Sequence, residues 1–226
     1  MIAVATGVAA AALSVSPVHI RLAGGSSRTI TITNAGDAAA AVEARAAGFV
    51  LDRRGKPTIA RERQPAAGWL RLRPRRLVLG PGAKAVVTVS AATPAGALPG
   101  DHPALVLLMT EPPRTAGVAI RVQIGVVVFV RVAGRIVHRL ELGALRVRRR
   151  VLEAAVANRG NVVERLRVRV FLLRGGHVLV RLGPVARTLL PHSRGIERFR
   201  YRGRLRGWVT ARVEAGAQRR TFRIRL

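Results

Sequence analysis

The chain repeats a set of landmarks in the same order, and this repeat constrains its fold more than any other feature. Residues 30–37 read ITITNAGD and residues 154–161 read AAVANRGN, so a strand-like run ends in Asn before a turn in both places. A Leu-rich run with a turn follows at 77–82 and again at 189–195. The copies lie about 110 to 125 residues apart, a period too long for a solenoid unit. The sequence therefore predicts two similar domains of about 100 residues each.

Period-two alternation of apolar and polar residues runs through almost the whole chain, interrupted by Gly, Pro, Asn and Asp turns, and this pattern predicts β-strands. No window has a sustained helical stripe with caps. Hydrophobic residues make up 49% of the chain but aromatic residues only 4%, so the cores must consist mainly of Val, Leu, Ile and Ala. About seven short strands in each half predict an all-β protein of two tandem immunoglobulin-like β-sandwiches, at 14–134 and 135–226, with almost no helix.

Residues 1–13 are set apart from this pattern as a signal-like segment. They form a short run of small apolar residues that ends in three alanines before the polar Ser14, as at a secretory cleavage site. A basic region before the run is missing, so either the true start lies upstream or the signal is degraded; a hydrophobic first strand is the alternative. About 12 residues are too few to span a bilayer. We therefore expect an exported, extracytoplasmic protein, and the absence of cysteine excludes a disulfide scaffold.

The run at 117–132 is the longest predicted strand, and both of its faces are partly apolar. An edge strand of this kind can pair with another chain, which is how some sandwiches bind extended segments. The alternative is that the core covers one face and the second domain covers the other. The residues that we predict to bind a partner by strand pairing are Ile120, Arg121, Val122, Ile124, Val126, Val128 and Val130.

A family resemblance rests on the order of these patterns. Residues 16–18 (SPV) open a strand, 69–70 read WL, 81–82 read PG before a strand, and 98–102 read LPGDH before the run at 117–132. This order resembles bacterial extracytoplasmic proteins with two immunoglobulin-like domains, above all the peptidoglycan-binding and WxL-protein-binding surface proteins of Gram-positive bacteria. More distantly it resembles the periplasmic pilus-assembly chaperones.

The resemblance implies a non-enzymatic envelope protein that binds or scaffolds cell-wall or surface components. The alternative that it implies is a pilus-type assembly chaperone, which would act by β-strand donation from the last strand of its first domain. Arg21 and Arg121 are candidates for the basic pair with which such chaperones anchor a subunit, since each lies on a predicted strand of the first sandwich. The implied partner is a cell-wall polymer or another surface protein.

The formal net charge is +29, nearly all of it from arginine, since Lys56 and Lys84 are the only lysines. In the second half the arginines recur at every second residue, which places them on the outward faces of strands. We predict polyanion binding by Arg146, Arg148, Arg165, Arg167, Arg169, Arg198, Arg200 and Arg202. Wall phosphates or anionic lipid head groups would be the ligands. The alternative is a solvated basic surface that reflects composition.

Nucleic acid is not the expected partner, because base stacking requires exposed aromatic rings, and Tyr201 and Trp208 are expected to face the core. Catalysis is not predicted either. His192, Ser193 and Glu197 are the residue types of a nucleophilic triad, but they share a Pro-led turn in which neighbours rarely attain the required geometry. Asp101 is expected to cap a turn. The sequence thus predicts no enzyme, metal site or cofactor.

Overall fold

The structure is a computed structural model that describes residues 12–60, 64–110, 121–202 and 205–226. These residues form eighteen β-strands and a five-residue helix, α1 (Pro65–Trp69). The chain divides into two compact units. The second unit contains Gly134–Leu226 together with Val50–Thr58 and Pro99–Asp101, and the first contains the rest.

The first unit is built on two sheets that enclose one core. Its four-stranded sheet has the order β1 (Leu13–Ser16), β3 (Ser27–Asn34), β9 (Lys84–Ala91) and β7 (Leu70–Arg73) in the described residues. Its five-stranded sheet has the order β2 (His19–Ala23), β11 (Gln123–Val132), β10 (Gly100–Thr110), β4 (Ala40–Ala47) and β8 (Arg76–Leu79). A separate hairpin joins β5 (Phe49–Leu51) to β6 (Pro57–Ile59), and its residues Val50–Thr58 belong to the second unit.

Alternation along each strand fills the core between these sheets. In β3 the residues Ile30 and Ile32 are fully buried, and in β9 Val87 and Val89 are fully buried, while the residues between them are exposed or half-buried. Each such side chain contributes about 1.5–3 kcal/mol when it is removed from water. The predicted core of aliphatic residues is confirmed for the described part of this unit.

The second unit repeats the two-sheet arrangement. A three-stranded sheet has the order β12 (Leu140–Arg148), β13 (Val151–Asn158) and β16 (Arg194–Arg200) among the described residues. A four-stranded sheet has the order β15 (His177–Leu189), β14 (Glu164–Arg174), β17 (Trp208–Ala215) and β18 (Gln218–Arg225). Its core again consists mainly of aliphatic side chains, with Phe199 and Tyr201 added. The predicted all-β fold of two sandwiches is confirmed.

The sequence repeat has a structural basis in two buried asparagines. The amide nitrogen of Asn34 donates to the carbonyl oxygens of Ala38 (2.7 Å) and Leu79 (3.0 Å), and its side-chain oxygen accepts from the backbone N–H of Gly36. Asn158 makes the equivalent bonds in the second unit. It donates to the carbonyl oxygens of Val162 (2.7 Å) and Leu190 (3.1 Å) and accepts from the N–H of Gly160. Each asparagine thus ties the end of one strand to the end of another.

A buried ion pair ties the loop between β5 and β6 into the second unit. The side chains of Arg187 and Glu197 are both buried, with Nε and Oε1 3.1 Å apart. The Arg187 guanidinium also donates to the carbonyl oxygen of Arg53 at 2.6 Å, and the N–H of Ile196 donates to the same oxygen at 2.8 Å. Burial raises the pKa of Glu197, and the positive charge of Arg187 opposes part of this rise.

Before β12, the side chain of Asn161 bonds the backbone at Arg135 and Val137. Two local predictions were wrong. Trp208 is 55% exposed, since it lies on the outer face at the start of β17. Asp101 lies in a strand and not in the predicted turn. It is buried at the start of β10 and accepts a hydrogen bond from the N–H of Val163 at 2.9 Å.

Candidate functional site

The predicted partner-binding strand corresponds to β11, and its residues fall into two groups. Val126, Val128 and Val130 are fully buried in the core of the first unit. Nearer the beginning of the strand, Val122 and Ile124 are half-buried and Arg121 is exposed. Ile120 lies outside the described residues. The positions before Val126 are therefore the ones accessible to a partner.

One edge of β11 is paired along only part of its length. β2 runs parallel to β11 and pairs with it from Val127, opposite His19, to Arg131, opposite Ala23. The preceding strand, β1, belongs to the other sheet, where it pairs with β3. Within the described residues, no strand pairs with Gln123–Val126 on the β2 side of β11. We call this segment the free edge.

The backbone groups that point out of the free edge follow from the hydrogen bonds on either side. Val122 faces β10, because its carbonyl oxygen accepts from the N–H of Thr110 at 2.9 Å. Val127 faces β2, because its N–H donates to the carbonyl oxygen of Val18 at 2.9 Å. Successive residues of a strand alternate in this respect. The N–H and C=O groups of Gln123 and Gly125 therefore point out of the free edge.

The free edge carries little that would repel another strand. Gln123 and Gly125 are exposed and uncharged, and the half-buried Ile124 lies between them. Natural sheet edges are usually protected by charge, proline or a bulge. Gly125 carries no side chain that would stand between its backbone and an added strand. The segment has the properties of an acceptor for an added strand.

The two candidates for a basic anchoring pair are not brought together. Arg21 lies on β2 opposite Phe129, with its guanidinium 6.0 Å from the centre of that ring. Arg121 lies eight residues before Phe129 along the chain. At about 3.3 Å per residue, the two positions are separated by roughly 26 Å. Arg121 is therefore the one of the two that lies next to the free edge.

The eight arginines predicted to bind polyanions are all exposed, but they do not form one surface. Those at 146, 148, 198 and 200 lie on β12 and β16 of the three-stranded sheet, and Arg202 follows β16. Those at 165, 167 and 169 lie on β14 of the other sheet. Arg198 is also neutralised in part by Glu153, at 2.7 Å. Polyanion binding by this set as a whole remains a prediction.

A cavity of about 440 Å³ lies on the outer face of the three-stranded sheet. Its lining includes the small residues Gly143, Ala155 and Ala157 and the arginines Arg146 and Arg194. Glu141 lies in the same cavity and pairs with Arg159 at 2.9 Å. The hydrogen bond from Arg159 lowers the pKa of Glu141 below its usual value.

The three residues that match a nucleophilic triad, His192, Ser193 and Glu197, lie in different environments. Glu197 is buried against Arg187, and the hydroxyl of Ser193 donates to the carbonyl oxygen of Leu190 at 2.7 Å. His192 is exposed in the turn. Among the described residues, no three His, Asp or Glu side chains come together as metal ligands.

No helix within the described ranges has the length and hydropathy needed to cross a bilayer. Residues 1–11 of the predicted signal-like segment lie outside those ranges.

Comparison with solved structures identifies the type of fold. The chain is similar to the class 5 fimbriae chaperone CfaA, at 10% identity and a TM-score of 0.60, over 95% of this chain and 100% of that one. It is also similar to a chain of the Salmonella enterica SafA pilin complex with the SafB chaperone (12%, TM-score 0.56, 97% and 99% covered). The E. coli chaperone DraB is similar at 14% identity and a TM-score of 0.54, with 96% and 98% covered.

No protein-family model matches the sequence, and no curated protein matches it. At these identities the likeness is one of fold. It agrees with the more distant of the two resemblances, to the pilus-assembly chaperones. The resemblance to peptidoglycan-binding and WxL-protein-binding surface proteins has no support among these structures.

Proposed function

We propose that the protein is a non-enzymatic assembly chaperone of the cell envelope, which binds an extended segment of a secreted partner along β11. The observation that carries the proposal is the free edge, Gln123–Val126, at the beginning of a strand that is otherwise paired on both sides. β-strand addition of this kind gives affinity through main-chain hydrogen bonds. The N–H and C=O groups of Gln123 and Gly125 would supply those bonds.

The fold supports the same proposal. The solved structures with similar folds include fimbrial chaperones, and one of them is a complex of a chaperone with a pilin. By analogy the partner would be another surface protein, and the protein would act outside the cytoplasm. The interpretation as a scaffold that binds cell-wall polymer is weaker, because the arginines on which it depends lie on both sheets of the second unit.

The test compares two edges of the same sheet. Ile124 lies on the free edge, and Val78 is a 75% exposed apolar residue on β8, the strand at the opposite edge. The tagged full-length protein would be purified from the envelope fraction of the producing cells, and bound protein quantified by mass spectrometry. We expect the wild type and Val78→Asp to retain a one-to-one partner and Ile124→Asp to lose it.

A second variant tests the backbone contribution. Gln123→Pro removes one N–H donor from the free edge and leaves the bonds to β10 in place. We expect it to weaken the complex about fivefold, the effect of one lost hydrogen bond. The proposal fails if both aspartate variants behave alike, or if the wild type instead sediments with isolated cell wall in a manner that salt abolishes. Unchanged thermal denaturation of each variant would establish that it is folded.

A further inference from the structure

One end of the second unit concentrates unpaired arginines. Two adjoining cavities of about 770 and 450 Å³ lie there and share Arg150 and Tyr201 in their linings. The arginines that line them are Arg149, Arg150, Arg200, Arg202, Arg206 and Arg225. All six are exposed, and none forms an ion pair with another residue in the described ranges. Neither lining contains an Asp or Glu side chain. We call these six residues the arginine end.

The turn at the arginine end holds an arginine in a backbone conformation that arginine disfavours. Arg149 and Arg150 connect β12 to β13, and Arg149 has a φ of 52°. Turns of this kind prefer Gly, Asn or Asp, because a larger side chain is strained in the left-handed region. A strained residue that the fold nevertheless holds in place is a reason to look for a function. At this position the guanidinium is carried at the tip of the hairpin.

Apolar side chains are exposed at the same end of the unit. Trp208 faces Arg225 in the pairing of β17 with β18, and it is 55% exposed. Val178 and Leu179 on β15 are also exposed. Val178 pairs with Leu173 of β14, and Leu173 pairs in turn with Thr210 of β17. Thr210 is two residues from Trp208 on the same strand. These side chains therefore lie close to the arginine end.

The ring of Trp208 contacts a further cation, the guanidinium of Arg223. This guanidinium lies 4.8 Å from the centre of the ring, within the range of a cation–π contact. Tryptophan is enriched at the level of lipid head groups, where its ring contacts apolar chains and its N–H remains solvated. Arginine next to exposed aromatic and aliphatic residues is the composition of surfaces that bind membranes.

We infer that the arginine end and Trp208 form a surface that docks on a bilayer containing anionic lipid. The six guanidiniums would face lipid phosphates, and Trp208, Val178 and Leu179 would enter the head-group layer. Basic residues close to an anionic leaflet are attracted to it within a Debye length. A soluble polyanion would satisfy the arginines but not the apolar residues. The inference does not depend on the proposed chaperone role, because it concerns the other unit of the chain.

The experiment is co-sedimentation of the full-length protein with vesicles of phosphatidylcholine, with and without phosphatidylglycerol. We expect binding only to the anionic vesicles and its loss at high salt. The triple variant Arg150→Ser, Arg202→Ser, Arg206→Ser should bind about 100-fold more weakly, since each arginine near an anionic surface contributes about fivefold. The matched control is Arg71→Ser, Arg73→Ser, Arg76→Ser, which removes the same charge from exposed strand positions of the first unit. It should bind like the wild type.

A fluorescence measurement tests the apolar part of the surface. Lipids brominated in their acyl chains should quench the emission of Trp208, and Trp208→Phe leaves Trp69 as the background. Trp208→Ser should weaken vesicle binding several-fold. The inference is overturned if the two triple variants bind equally, if neutral vesicles bind as well as anionic ones, or if Trp208 is not quenched. It is also overturned if soluble polyphosphate binds as tightly as the vesicles, since this would indicate a general anion site.

Discussion

Asn34 and Asn158 hold equivalent places in the two units and are fully buried. Each amide group bonds the backbone carbonyl groups at the end of a second strand, 45 residues away for Asn34 and 31 or 32 for Asn158. A buried carbonyl without a donor is costly, so no aliphatic residue can replace the amide. The recurrence of Asn before a Gly-containing turn was visible in the sequence, but the distant carbonyl partners were not.

Replacing either asparagine should destabilise its own unit. We expect Asn34→Ala and Asn158→Ala each to lower the free energy of unfolding by about 2–3 kcal/mol, because the buried carbonyl groups lose their donors. Urea denaturation followed by circular dichroism would measure the change. Thr33→Ala, the half-buried neighbour of Asn34, should cost less than about 0.5 kcal/mol. Equal losses for Thr33→Ala and Asn34→Ala would contradict this role of the amide.

At the level of elements, β11 has two different parts. Its alternation of β-branched residues predicted a long strand with apolar faces, and the structure agrees from Gln123 to Val132. The sequence could not indicate which part of the strand is covered, because its neighbour β2 lies about 100 residues earlier in the chain. The same limit applies to the hairpin of β5 and β6. Its second strand is three residues long, begins with Pro57 and has no alternation to identify it.

An aspartate should destabilise the first unit at one part of β11 and not at the other. Val126→Asp places a carboxylate in the core, where the side chain is fully buried, and we expect the first unit to unfold. Ile124→Asp, two residues earlier on the half-buried part, should leave the melting temperature within a few degrees of the wild type. Thermal denaturation followed by circular dichroism compares the two. If Val126→Asp were folded and as stable as Ile124→Asp, the assignment of Val126 to the core would be wrong.

At the level of the whole molecule, the formal net charge of +29 is the dominant property. The sequence predicted outward-facing arginines from their spacing, and those on β12, β14 and β16 are exposed. Their grouping at one end of the second unit was not predictable. It depends on a turn, the end of β16 and the start of β17, segments that only the folded chain brings together.

Self-repulsion among so many arginines should destabilise the folded protein at low ionic strength. We expect the melting temperature to rise as sodium chloride screens these charges, most steeply up to about 0.15 M, where the Debye length has fallen to about 8 Å. A variant without Arg165, Arg167 and Arg169 should show a smaller rise. A melting temperature that fell with salt would indicate that attractive ion pairs outweigh the repulsion.

The contact between Arg187 and the carbonyl oxygen of Arg53 has a practical consequence for anyone who expresses part of this gene. A fragment that encodes 134–226 alone would omit the loop that receives this guanidinium and the N–H of Ile196. Solvent would then reach the ion pair of Arg187 and Glu197, which is buried in the intact chain. Such a truncated product should fold less stably than its length and core suggest, and a poor yield would say nothing against the sandwich itself.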